Sequence, residues 1–143
     1  IGPAKDVVVV GLGKSELDAY LTKIAAADKR VIVDEPTPEK GFYYRSDHFS
    51  FAKLGVPMFN FGSGEDLVTG GKEAGRKASE DYEKNRYHTP GDEYDAITNW
   101  DGMIADLRLY YAAGRMLAMT DAWPNWNPGD EFRAARDKSR ATK

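Results

Sequence analysis

Residues 7–33 read VVVVGLGKSELDAYLTKIAAADKRVIV, and this stretch sets the fold class. Four consecutive β-branched residues, Val7 to Val10, closed by Gly11, Leu12 and Gly13, predict a buried strand. Ser15 then stands three residues before Asp18, a capping-box spacing, and Leu17, Tyr20, Leu21, Ile24 and Ala25 recur at helical period as far as Lys29 and Arg30. Val31, Ile32 and Val33 make a second strand. It is stopped by Asp34, Glu35, Pro36 and Pro38, because proline cannot donate to a ladder. Strand, helix, strand predicts an α/β protein.

Outward from this unit, Phe42, Tyr43 and Tyr44 lead into Arg45-Ser46-Asp47-His48. Phe51, Ala52 and Leu54 share one side of a short helix that ends at Gly55, ahead of Pro57. Met58 to Phe61 reads as a third strand. From Gly62 to Asp92 the composition turns to Gly, Lys, Glu, Asp and Arg without a sustained apolar period, which predicts a long loop, functional or mobile. Trp100, Ile104, Leu107, Tyr111, Gly114, Leu117 and Ala118 mark one stripe of a long helix ended by Pro124. Trp123, Trp126 and Phe132 in the tail are expected to pack back on the body. The expected organisation is a single domain over 1–143, with strand/helix units over 1–61, an active-site loop over 62–94, the long helix over 95–121 and a tail over 122–143.

Composition removes several classes of function. A chain of 143 residues fits one domain and buries enough surface to need no disulfide or metal merely to fold. With 20 Lys and Arg against 23 Asp and Glu, the net charge of -3 offers no basic field to steer nucleic acid. The apolar run Val7 to Val10 is far short of the roughly 20 residues that a membrane helix needs. The absence of Cys excludes thiol catalysis and cysteine zinc sites, leaving His48 and His88 as the two imidazoles. The chain opens at Ile1 with neither initiator Met nor signal-type h-region, as expected of a processed or excised piece.

Three tempting motifs fail on spacing. A phosphate-binding loop ending at Gly13-Lys14-Ser15 needs glycine where Val8 stands, and a dinucleotide fingerprint from Gly11 and Gly13 needs one where Glu16 stands. Gly62-Ser63-Gly64 lacks the spacing of a nucleophile elbow. Two other segments gather chemistry. Arg45 to His48 places a cation, a hydroxyl, a carboxylate and an imidazole at a helix start, although the same residues suit a plain cap with a core histidine. Tyr87-His88-Thr89-Pro90-Gly91-Asp92 puts the other imidazole in a turn, where a metal-ligand role is open and Asp92 or Asp95 could orient its second nitrogen. Zinc needs at least three protein ligands, so one such histidine implies absent partners.

At these two segments the chain resembles the M28 family of zinc metallopeptidases, in the C-terminal part of the catalytic domain. The run Arg45 to Pro57, RSDHFSFAKLGVP, is similar to the family's SDH-containing helix with its following Gly-x-Pro, and Tyr87-His88-Thr89 resembles its YHT segment. The resemblance implies a three-layer α/β/α sandwich present here as its C-terminal part. It also implies a site of two zinc ions, a metal-bound water attacking a peptide carbonyl, and a Glu general base. His88 matches a zinc ligand, and Tyr87 matches a phenol that polarises the carbonyl oxygen. Arg45 matches a substrate-contacting position, while Asp47 and His48 match orienting groups near the site. The family's HxD segment, Glu-Glu pair and remaining Asp ligand find no match in residues 1–143. The isolated chain is therefore expected to be an inactive part of an aminopeptidase. Its expected partners are a peptide substrate and the missing N-terminal part of the same domain, with exposed sheet edges that invite self-association. The tail from Trp123 to Phe132 resembles the ending of larger bacterial members, which implies a periplasmic or secreted protein. Two relatives of the fold offer other readings. A non-catalytic binding module is disfavoured by the Tyr87–His88 pair, and a one-zinc glutaminyl cyclase would carry Trp in place of Tyr87.

Overall fold

The computed structural model describes residues 2–94 and 99–141. It is an α/β protein built on a three-stranded sheet of order β2-β1-β3. Strand β1 (Asp6–Val10) pairs in parallel with β2 (Val31–Asp34) and antiparallel with β3 (Asn60–Ser63). Helix α1 (Leu17–Ala27) joins the parallel pair, as the sequence predicts. Its entry differs in one detail from a capping box. Ser15 Oγ accepts from the Leu17 amide at 3.3 Å, but the Asp18 carboxylate reaches past Ser15 to accept from the Gly13 amide at 2.7 Å. Lys29, at φ 59°, turns the chain from α1 into β2.

Because alternate side chains of a strand face opposite ways, the valine run serves two cores. Val7 and Val9, both fully buried, pack with Leu21, Ile24 and Ala25 of α1, Phe61 of β3, and Leu109 and Ala113 of α4 (Asp101–Ala118). Val10, on the other side of the pleat, packs against a smaller cluster of Tyr43, Ala52, Trp126 and Phe132. The tail aromatics Trp126 and Phe132 thus do return to the body. The exposed Trp123 instead carries the Arg140 guanidinium 4.0 Å from its ring centroid.

A buried ion pair ties the layers together. Arg30 donates to Asp106 Oδ1 at 2.7 Å and to the Asp6 carbonyl at 2.8 Å, while Asp106 Oδ2 accepts from Ser63 Oγ at 2.6 Å. One hydroxyl thereby anchors β3 to α4, and one guanidinium anchors the α1–β2 turn to both β1 and α4.

Two expectations are corrected. The stretch 62–94, expected to be a long loop, contains the 15-residue helix α3 (Gly71–Asn85). It shows no apolar stripe because its one buried residue is Gly75, where a Cβ would overlap the Glu65 carbonyl. Strong helix formers and ion pairs such as Arg76–Glu80 sustain it instead. On α4, the apolar stripe read from the sequence faces outward, leaving Ile104, Leu107 and Tyr111 exposed. The packed face uses Leu109, the ion-paired Asp106, and Gly102 and Ala113, the last two small enough to let the helix lie close to the body.

Candidate functional site

The first chemical segment is a 3₁₀ turn, Phe42–Arg45, running into the short helix α2 (His48–Ala52). Ser46 Oγ donates back to the Phe42 carbonyl at 2.7 Å, and the Ser46 carbonyl accepts from the Phe49 amide at 3.0 Å. Ser46 is therefore a local brace. Arg45 is exposed and donates to the Lys40 carbonyl at 3.4 Å, and Asp47 is exposed at the start of α2. His48 lies edge-on to Tyr43 with ring centroids 4.9 Å apart. Its Nε2 is buried without a hydrogen-bond partner. Burial lowers its pKa, against the opposing effects of a hydrogen bond to the Tyr43 backbone and the neighbouring Asp47 charge. It faces the core.

The second segment follows α3. The Tyr87 amide donates to the Tyr82 carbonyl at 2.9 Å, and His88 takes a left-handed conformation at φ 56°, which breaks the helix direction. The turn is held from several sides. Thr89 Oγ1 donates to the Arg86 carbonyl at 2.8 Å and accepts from the Gly91 amide at 3.2 Å, and Arg86 donates to the Gly91 and Glu93 carbonyls at 3.3 Å each. This clamp leaves both Tyr87 and His88 exposed, with their rings 4.1 Å apart. Asp92 accepts from the Tyr82 hydroxyl at 2.7 Å and is thus engaged elsewhere than at His88; Asp95 lies outside the described residues.

Among the described residues no hydrogen bond, ion pair or ring contact joins Arg45, Asp47 or His48 to Tyr87 or His88. They are linked at one remove. Arg45 holds the Lys40 carbonyl, and Lys40 Nζ pairs with Glu83 Oε2 at 2.7 Å near the end of α3, just before the Tyr87–His88 turn. A cleft of about 210 Å³ lies along this bridge, lined by Thr37, Lys40, Glu65, Arg76 and Glu83 among others. A larger pocket of about 440 Å³ opens at the foot of the turn, between α3 and α4, with Tyr82, Arg86, Asp92, Trp100 and Met103 in its walls. The sequence reading missed Tyr82 and Arg86. Their available signal was a lone aromatic in an otherwise polar segment, five residues ahead of Tyr87.

Whether these residues could hold zinc is answered by their placement. Among the described residues no three His, Asp or Glu side chains converge on a point where a metal ion could sit. The residues described in this chain do not by themselves fit a zinc site, and His88 stands as a single exposed imidazole.

The sequence profile described as peptidase family M28 matches residues 1–111. No curated protein and no solved structure matches the chain. The chain belongs to peptidase family M28, a family of hydrolases acting on peptides and generally dependent on zinc.

Proposed function

We propose that the chain is the C-terminal part of a zinc-dependent aminopeptidase site, present here without most of its metal ligands and its general base. The observation that carries this reading is the exposed Tyr87–His88 turn, flanked by Arg86 and Asp92 of a pocket of about 440 Å³, in a chain of the M28 family. In this reading His88 offers one imidazole to a zinc centre of two ions whose other ligands come from another segment. The Tyr87 phenol is free to donate to the carbonyl oxygen of the bound peptide. Arg45 contacts the substrate and Asp47 orients groups beside it, both being exposed at the start of α2. The isolated chain is inactive, and the complete protein works outside the cytoplasm.

The test is calorimetric titration of zinc into the 143-residue chain, paired with a peptidase assay. The expected result is weak or no binding and no turnover. Tight stoichiometric binding, or zinc-dependent hydrolysis by the chain alone, would overturn the reading. In a form carrying the whole site, His88→Ala should lose zinc and activity, whereas Tyr87→Phe should keep zinc and turn over more slowly.

A further inference from the structure

The family match ends at residue 111, yet the chain beyond it is woven into the segment that carries Arg45, Asp47 and His48. Trp126 pairs antiparallel with Ser15, and the Asn127 side chain donates to the Gly13 carbonyl at 2.7 Å. From there the same stretch crosses to α2. The indole Nε1 of Trp126 donates to the Gly55 carbonyl at 3.1 Å, and the Tyr44 hydroxyl donates to Glu131 Oε1 at 2.9 Å. Phe132 stacks on Tyr43 and meets Phe49 edge-on, with centroids 6.3 and 6.0 Å away. Lys14 Nζ closes the arrangement. It pairs with Asp130 Oδ2 at 3.1 Å and sits 4.9 Å from the Tyr43 ring centroid and 5.4 Å from that of Phe132.

We propose that residues 123–141 are a positioning strap for the Phe42–Gly55 segment, with the Lys14–Asp130 pair as its latch and Trp126 as its pin. Before the strap is added, Tyr43, Phe49 and Ala52 have only Val10 and Met58 of their cluster to pack on. The strap supplies Trp126 and Phe132, completes that small core, and fixes where the exposed Arg45 and Asp47 stand. The Asp130 side chain is almost fully buried, so loss of its charge is felt by Lys14 rather than by solvent. The functional meaning of the strap rests on Arg45 and Asp47 facing the substrate, as proposed above.

The two histidines make the test local. In proton NMR of the full chain, the His48 imidazole reports on the strapped segment and the His88 imidazole on the distant turn. Asp130→Asn keeps an oxygen for the Phe132 amide, which Asp130 Oδ1 holds at 2.9 Å, and removes the nearer of the two carboxylates facing Lys14, Glu131 Oε1 remaining at 3.6 Å. Trp126→Phe keeps an aromatic ring but removes the indole N–H bond to Gly55 together with part of the buried volume. Both should move the His48 resonances and speed amide exchange over 49–55 by about tenfold, leaving His88 and the α4 amides unchanged. An unmoved His48, or a response shared by His88 and α4, would each overturn the strap. These readouts do not depend on catalysis. Should Arg45→Ala leave KM unchanged in a peptidase-competent form, the substrate reading would fail while the strap stood.

Discussion

His48 loses a partner for one ring nitrogen when the chain folds, and burial holds its pKa below the ordinary histidine value. Between the lowered folded value and the unfolded value, the unfolded chain binds the proton more readily. Stability from this residue is therefore present above the ordinary histidine range and is lost as pH falls through it toward the folded value. Thermal unfolding should show the wild type losing more stability than His48→Gln between about pH 7.5 and about pH 5. Gly55 is constrained twice. It sits at φ 83°, and a Cβ there would meet the Arg136 amide nitrogen and, at 2.7 Å, the Ala135 carbonyl carbon. Gly55→Ala should cost about 3 kcal/mol or more by denaturant unfolding, since left-handed strain adds to overlap with backbone that cannot turn aside.

Among the elements, β3 closes one side of the sheet through a side chain. The Tyr110 hydroxyl donates to the Phe61 carbonyl at 2.5 Å and accepts from the Phe61 amide at 3.3 Å, and the two rings stack with centroids 3.9 Å apart. A phenol on α4 thus satisfies both polar groups of a strand residue that would otherwise recruit another strand. Tyr110→Phe keeps the stack and loses both bonds. It should destabilise by about 1–3 kcal/mol and raise amide exchange at Phe61. Strand β2 has no such cover in its first residue, since Val31 remains 61% exposed. Helix α3 illustrates the opposite economy: it reaches the body through a glycine and through Lys40–Glu83 rather than through an apolar face.

Over the whole molecule, apolar surface is left facing out along one side. Trp100, Met103, Ile104, Leu107 and Tyr111 of the α4 region are all exposed, beside an apolar pocket of about 380 Å³ that reaches Phe61. Such contiguous surface drives association. Light scattering on the 143-residue chain should give a mass above the monomer that rises with concentration, and Leu107→Glu should return it toward the monomer. A constant monomeric mass for the wild type would count against this. No described helix is long and apolar enough to cross a membrane.

The sequence by itself determined the α/β class, the strand–helix–strand order of β1, α1 and β2, the short helix after Arg45 and the two chemical segments, because each rests on local signals: β-branched runs, turn glycines and dense short motifs. It also sufficed for the family, through RSDH and YHT. It could not show which face of α4 is buried, because Gly102 and Ala113 pack by being small and Asp106 packs by being paired with Arg30, 76 residues away in sequence. Nor could it show α3, whose stability comes from propensity and ion pairs without apolar periodicity. The half-burial of His48 and the exposure of His88 were likewise decided only by the tertiary structure. Two imidazoles in similar polar company differ because one lies edge-on to Tyr43, a member of the small core to which the tail contributes, and the other rides a left-handed turn that the Arg86 and Thr89 clamp holds open to water.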